Sequence, residues 1–351
     1  MVNTAHITGF GIALPDPVDQ DTLWDGYFAR HFAEVPVAGR LFRGAQVRRR
    51  HAVVNPVLED ASTWSTGTRM RRYEQEAPSL GATALSAALA DSGLSPGEVG
   101  LFAVASCTGY TTPGVDIRLS AEFGLPADAQ RLVIGHMGCY AALPGLGAVT
   151  DFVLARGKPA LLLCLELTSL HVQPPTKDVD QVVAHSLFSD AAAAVVVQPG
   201  SPRSRSALTV VDVTALTDAT TSDHMTWNVT DLGFRMGLSP RVPDALARHV
   251  GPTITGLLGR HGLTTADVDA WAVHPGGPRV LDTVAEALAL PADALTTSRR
   301  VLAEHGNCSS ATVLLVLHAL RASGWPRPGR YGVAMAFGPG LTLYAALVQA
   351  T

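Results

Sequence analysis

Short apolar runs alternate with helix-length stretches along this chain, and that alternation restricts the fold more than any other feature. Leu101 to Ser106, Arg131 to Gly135, Pro159 to Glu166 and Ala191 to Gln198 have strand length, each bounded by Gly, Pro or polar turn residues. Between them lie helix-like stretches at Ser79 to Ser92 and Ala141 to Arg156. The second half repeats the pattern: a strand near Asp269 to Val273, helices near Arg279 to Leu290 and Ser309 to Ala322, then strands around Val333 to Phe337 and Leu341 to Val348. Such alternation predicts an α/β layered fold whose helices cover mainly buried sheets.

The segment Gln198 to Ser206 is rich in Pro, Gly, Ser and Arg and reads as a linker between residues 1–200 and 207–351. Both parts end alike, with a small-residue turn running into an apolar strand: Ser189-Asp190-Ala191 into Val195, and Gly338-Pro339-Gly340 into Leu341. That likeness hints at an internal duplication of one α/β unit.

Composition excludes several functions. Hydrophobic residues make up 47% of the 351 and charged ones 16%, enough to bury a large core and too apolar for intrinsic disorder. The 26 basic side chains against 30 acidic ones speak against nucleic acid as the main partner. No uninterrupted apolar run approaches the roughly 18 residues of a membrane span, and Met1-Val2-Asn3-Thr4 does not open a signal peptide. The four cysteines form no CxxC pair, so a disulfide framework or a zinc ribbon is a poor reading. A soluble, cytoplasmic protein is expected.

Three segments carry candidate chemistry. In Gly135-His136-Met137-Gly138-Cys139-Tyr140-Ala141-Ala142, a strand ends in glycines and a cysteine precedes a helix. Unpaired N–H groups and the helix dipole there favour a thiolate, so a low pKa is expected for Cys139, against the ordinary alternative of an inert buried thiol. In Val273-His274-Pro275-Gly276-Gly277-Pro278, a histidine at a strand end could project into a cleft or merely satisfy a turn. In Glu304-His305-Gly306-Asn307-Cys308-Ser309-Ser310-Ala311, Asn307 is either a helix cap or a functional amide.

Cys, His and Asn at three glycine-bearing junctions form a set used in thiol catalysis. In a papain-like hydrolase, Asn orients His while the cysteine attacks a peptide carbonyl. The Cys-Gly-Ser-Cys-Trp type of signature is absent here, and Cys139 lies far from the N-terminus. In a thioester condensing enzyme, His and Asn stabilise the enolate formed when a malonyl unit loses carbon dioxide.

The chain resembles the type III polyketide synthases, the chalcone synthase-like branch of the thiolase superfamily. Six motifs in order carry the resemblance. They are Cys107-Thr108-Gly109-Tyr110 with Pro113-Gly114-Val115-Asp116, then Gly138-Cys139, Leu187-Phe188-Ser189-Asp190, His274-Pro275-Gly276-Gly277-Pro278, Gly306-Asn307-Cys308-Ser309-Ser310-Ala311, and Phe337-Gly338-Pro339-Gly340-Leu341-Thr342. The resemblance implies a thiolase fold of duplicated αβαβα layered halves, the first carrying the nucleophile and the second carrying His and Asn. It implies that Cys139 holds the acyl group, that His274 is its partner, and that Asn307 is the second donor to the enolate oxygen. It further implies that Phe188 gates the passage between a coenzyme A tunnel and the reaction cavity. Gly276, Gly277, Phe337, Gly338 and Pro339 would shape the walls, with Thr108 beside the site. Arg40, Arg43 and Arg48 would meet coenzyme A phosphates, although a solvated basic face explains the run Arg48 to Arg50 equally well.

Departures from the family pattern bear on the substrate. Tyr140-Ala141-Ala142-Leu143-Pro144 follows the cysteine where relatives often read Ala-Gly-Gly. Thr112 stands where many carry a larger residue across the dimer interface. His171 takes a cavity position where Thr or Cys is common, and is expected to narrow the space for a growing ketide. The activity implied is loading from an acyl-CoA and extension with malonyl-CoA by decarboxylative Claisen condensation, with or without cyclisation. The enzyme would be a homodimer needing no metal or other cofactor. The alternatives are a thiolase-fold acyltransferase that moves an acyl group to an alcohol or amine without decarboxylation, and a catalytically dead binding homologue. Both lack the use of Asn307 that condensation requires.

Overall fold

The computed structural model describes residues 4–200, 207–325 and 327–351. Met1-Val2-Asn3 and most of the expected linker, Ser201 to Ser206, lie outside the described residues. The first half contributes β1 (Ala5–Ala13), the short pair β2 (Pro17–Asp19) and β3 (Arg49–His51), then β4 (Leu101–Ser106), β5 (Gln130–Gly135), β6 (Ala160–Glu166) and β7 (Ala191–Pro199). The second contributes β8 (Leu208–Thr217), a hairpin of β9 (Met225–Thr230) and β10 (Gly233–Leu238), then β11 (Val268–Val273), β12 (Tyr331–Gly338) and β13 (Thr342–Ala350).

Nine of these strands join in the order β11-β12-β13-β8-β1-β7-β6-β4-β5. Read outward from its centre, the sheet repeats itself. β1 pairs antiparallel with β7, β7 antiparallel with β6, and β6 parallel with β4; β8, β13, β12 and β11 follow the same sequence of senses. Within the sheet the halves meet along β1 and β8, where His6 pairs with Thr209 and Ile7 with Leu208. Only β5 has no counterpart in the second half among the described strands.

Two apolar helices, Ala142–Arg156 and Ala311–Ala322, touch each other and strands of both half-sheets, so they form a layer enclosed between them. Leu143, Leu146, Val149 and Val153 of the first and Val313, Leu314, Val316 and Leu317 of the second are buried in one shared core. Each such side chain contributes about 1.5–3 kcal/mol through burial. The stretch Gly138–Arg156 is long and apolar enough to cross a membrane, but its apolar character serves this enclosed position. The helix Thr66–Ser92 covers the outer face of the first half-sheet, and Val242–Gly259 with Pro278–Ala287 covers that of the second. Helix, sheet, helix, sheet, helix: the expected five layers are present.

The strand and helix positions anticipated from the sequence agree with the structure to within a few residues, except that Thr66–Ser92 begins well before the expected Ser79. β1, β8, the β9–β10 hairpin and the helix Val242–Gly259 escape that reading. Gly9 and Gly11 obscure β1, because a strand with glycines scores poorly. Their role is close approach: a Cβ at Gly11 would lie 1.9 Å from the Ala84 carbonyl oxygen of the covering helix.

Candidate active site

Cys139 sits in a 3-10 turn, Gly138–Tyr140, that leads directly into the enclosed helix Ala142–Arg156. Pro144 is the third residue of that helix, where the N–H has no intrahelical partner in any case, so it costs no ladder bond. The turn needs glycine twice. Gly138 has φ +78, and a Cβ on Gly338 would come within 2.6 Å of the Tyr140 ring. The loop Phe337 to Gly340 therefore lies directly on the cysteine turn.

His274 follows β11 and continues its ladder, its N–H donating to Met335 O at 2.8 Å. Its ring is buried, and among the described residues neither Nδ1 nor Nε2 has a hydrogen-bond partner. Asn307 is held from both sides. Its N–H donates to Leu187 O at 2.8 Å and its carbonyl accepts from Ser189 N–H at 2.9 Å, forming a short parallel bridge with Phe188. Its side-chain Oδ1 accepts from Ser309 N–H at 2.9 Å and lies 4.0 Å from Cys139 Sγ. With the oxygen so engaged, the Nδ2 end is left for a ligand.

Cys139, His274 and Asn307 line one cavity of about 680 Å3, together with Phe188, Gly276, Gly277 and Phe337. The exposed Arg40 and Arg279 lie on the same cavity. Two much smaller rooms share wall residues with it. One, of about 20 Å3, holds Cys139 with Thr108, Ser309 and Pro339; the other, of about 60 Å3, is lined by His171, Ser169 and Arg50. Phe188 borders all three spaces.

Electrostatics correct one expectation. Burial pushes the Cys139 thiol up to about 12, and burial brings His274 down to about 3. Desolvation outweighs the helix dipole here, so the resting pair is a neutral thiol and a neutral imidazole.

Other expected residues fall in different places. Thr108 is buried, its hydroxyl donating to Glu166 Oε2 and accepting from Leu167 N–H, both at 2.8 Å. Thr112 is exposed and borders none of the three spaces. Arg43 is exposed on the helix Ala38–Gly44 but off the cavity wall, and Arg48 is paired with Glu304. Arg50 is buried, its Nη1 donating to Phe188 O at 3.2 Å and its guanidinium stacked over Phe28 and Phe42. Of the three arginines assigned to phosphate, Arg40 alone borders the large cavity.

His171 borders the 60 Å3 room rather than the large cavity. Its Nε2–H donates to Thr108 O at 2.7 Å and its Nδ1 accepts from Phe234 N–H at 3.0 Å. Both ring nitrogens are thus spent on backbone, and burial brings the ring down to about 3. With both nitrogens bonded to backbone, the ring has no polar atom left for a ligand in that room.

Several site residues escape sequence reasoning. Trp227, Met225 and Met236 come from the β9–β10 hairpin, for which Asp231-Leu232-Gly233 between alternating runs was an available turn signal. Two buried carboxyl groups organise the walls, and burial raises the pKa of each. Glu166 accepts from Cys107 N–H, Thr108 Oγ1 and Ser310 Oγ; Asp190 accepts from Val53 N–H, Ser169 N–H and the Ser169 and Thr168 hydroxyls.

The family model for chalcone and stilbene synthases, N-terminal domain, matches residues 2–201, and that for the C-terminal domain matches residues 213–351. The chain is 37% identical to a 1,3,6,8-tetrahydroxynaphthalene synthase of Streptomyces peucetius subsp. caesius over 86% of its length and 80% of the relative's. It is 32% identical to an alpha-pyrone synthesis polyketide synthase-like protein of Mycobacterium tuberculosis, over 87% and 80%. Among solved structures it is similar to the 1,3,6,8-tetrahydroxynaphthalene synthase of Streptomyces coelicolor, with a TM-score of 0.92 at 29% identity over 98% of this chain and 99% of that one. PKS-I of the brown alga Ectocarpus siliculosus gives a TM-score of 0.93 at 28% identity, over 100% and 99%.

Proposed function

Since this chain belongs to the chalcone and stilbene synthases, we propose that its chemistry runs on Cys139, His274 and Asn307. As a type III polyketide synthase it is an acyltransferase that performs decarboxylative condensation of malonyl-CoA, and its family works on coenzyme A thioesters without a further cofactor. The observation that carries the residue assignment is convergence: a buried thiol, an unpartnered imidazole and an oriented amide share the wall of one large cavity.

In this reading Cys139 Sγ attacks the thioester carbon of an acyl-CoA as its proton passes to His274, and coenzyme A leaves as its thiol. Burial leaves the imidazole unprotonated at rest, so an unpartnered ring nitrogen is open to take that proton. Malonyl-CoA then enters with its thioester oxygen between an N–H of His274 and Nδ2–H of Asn307. The bond to its carboxylate breaks, carbon dioxide departs, and the electron pair becomes an enolate held by those two donors. The enolate carbon attacks acyl-Cys139, and the thiolate is expelled. Arg40 and Arg279 at the cavity border complement the coenzyme A phosphates as charges.

We assign the two functional halves to residues 1–200 and 207–351. A homodimer is supported by β5, an edge strand that exposes Val133 at 60% and Leu132 at 38%, a surface that a second copy would cover. The four free, buried cysteines suit a reducing, cytoplasmic setting.

Incubation with an acyl-CoA and malonyl-CoA tests the assignment. Intact mass should show one acyl group per chain, peptide mapping should place it on Cys139, and carbon dioxide should be released. An acyl group on Cys107, Cys164 or Cys308 instead would overturn it.

A further inference from the structure

Asn307 is built into one unit with the Phe188 turn, and both sides of that unit close on His51. Asn307 N–H donates to Leu187 O and Asn307 O accepts from Ser189 N–H, so the two main-chain segments are tied together. The turn is held on β3: His51 N–H donates to Ser189 Oγ at 2.8 Å, and Asp190 N–H donates to His51 O at 2.9 Å. The Asn307 segment is held by the His51 ring, whose Nε2 lies 3.0 Å from Nδ1 of His305. Gly306, between His305 and the amide, has φ +68, and a Cβ there would lie 2.8 Å from Leu187 O. The segment therefore lies flush against the turn.

Pro15 fixes the direction of the ring-to-ring bond. Its carbonyl only accepts, so His51 Nδ1, 2.8 Å away, holds a hydrogen. Burial lowers the pKa of His51 and brings His305 down to about 4, which leaves both rings neutral near neutral pH. A neutral His51 with its hydrogen on Nδ1 has a bare Nε2, so His305 Nδ1–H is the donor. The rings also stack, with centroids 5.2 Å apart. Neither imidazole borders the large cavity. What they join is a strand of the first half to the end of the helix Thr296–His305 in the second.

We propose that His51 and His305 are positioning residues for decarboxylation: their ring-to-ring hydrogen bond sets where the Asn307 amide stands relative to Cys139 and His274. The proposal rests on the assignment of Asn307 as a donor to the enolate. Cys139 is held separately, by its own turn against Gly338 and Pro339. Loss of the imidazole bond therefore shifts the amide and leaves the thiol in place. A misplacement of 1 Å can cost about 10²-fold in rate, so a fraction of that shift is enough to be measured.

The test compares the wild type with His51→Phe, His305→Phe, His305→Asn, the double Phe variant and Asn307→Ala. Carbon dioxide release from malonyl-CoA and formation of acyl-Cys139 from an acyl-CoA are measured separately. Both single Phe variants, which keep a ring and lose the bond, should release carbon dioxide at least about tenfold more slowly. The loss should fall on kcat with KM for malonyl-CoA little changed, and acyl-Cys139 should form at the wild-type rate. The double variant should be no slower than the slower single one, because one bond is lost in all three. His305→Asn places an amide N–H near the position of Nδ1 and should recover most of the rate. If His51→Phe fails to fold by circular dichroism, the contrast between His305→Phe and His305→Asn decides. Unchanged carbon dioxide release in the Phe variants would refute the positioning role. So would an equal loss of acyl loading, or a His305→Asn enzyme as slow as His305→Phe. Wild-type release by Asn307→Ala would instead refute the assignment of Asn307.

Discussion

The two halves share one strand plan and put different chemistry on it. The residue after β4 is Cys107 and the residue after the matching β11 is His274. The enclosed helix of the first half starts just beyond Cys139, and that of the second starts just beyond Asn307. The turn before β7 holds Phe188, and the turn before β13 holds Gly338-Pro339-Gly340. In the proposed mechanism the first half supplies the acyl carrier, and it also holds Phe188, which borders all three spaces. The second, in the same proposal, supplies the groups that meet a substrate oxygen. A duplicated frame brings equivalent positions to one junction, and divergence of side chains at those positions makes a site that neither half holds alone.

The sharpest way to break this division is to remove each half's contribution in turn. Cys139→Ala should abolish acyl loading, read as loss of the acyl mass, with no rescue by Cys107 one strand away. Asn307→Ala should still load but lose about 10²–10³ in carbon dioxide release, the usual effect of deleting one oxyanion donor. If Asn307→Ala condensed at the wild-type rate, the division of labour would be wrong.

A second difference concerns the edges. β11 closes the second half-sheet with a largely buried strand, whereas β5 leaves its residues mostly exposed. Replacing both Leu132 and Val133 by Asp should convert a dimer to a monomer by light scattering, while the fold survives by circular dichroism. A persistent dimer would mean that another surface joins the copies.

The smallest effect tests the neutral pair across the halves. With the Cys139 thiol pushed up to about 12, the thiolate is scarce at neutral pH and gains roughly tenfold per pH unit. Alkylation of Cys139 by iodoacetamide should climb at that slope from pH 7 to 9 without a plateau. A plateau near neutrality would show that the proton has already moved to His274.

The sequence made the proposed trio legible because each member stands at a strand or helix junction flanked by glycines. Those glycines are demanded by the backbone, as Gly138 and Gly338 are. Arg48 misleads for the opposite reason: three consecutive arginines look alike as text, yet one pairs with Glu304, one is buried against Phe28 and Phe42, and neither borders the large cavity. Trp227 was illegible because nothing local marks a hairpin residue as a wall.

By itself the sequence indicated the layered class, hinted at the duplicated plan and singled out Cys139, His274 and Asn307 as candidates, because strand period, turn chemistry and motif order are local properties of the chain. Tertiary structure decided what those residues experience. It joined Asn307 to Phe188 by a backbone bridge, since that bond spans more than a hundred residues. It made the thiol and imidazole neutral, since desolvation depends on everything packed around a group and not on its neighbours in sequence. It also set the size of the smaller rooms, because the space left over belongs to the packing of several distant elements and is written in none of them.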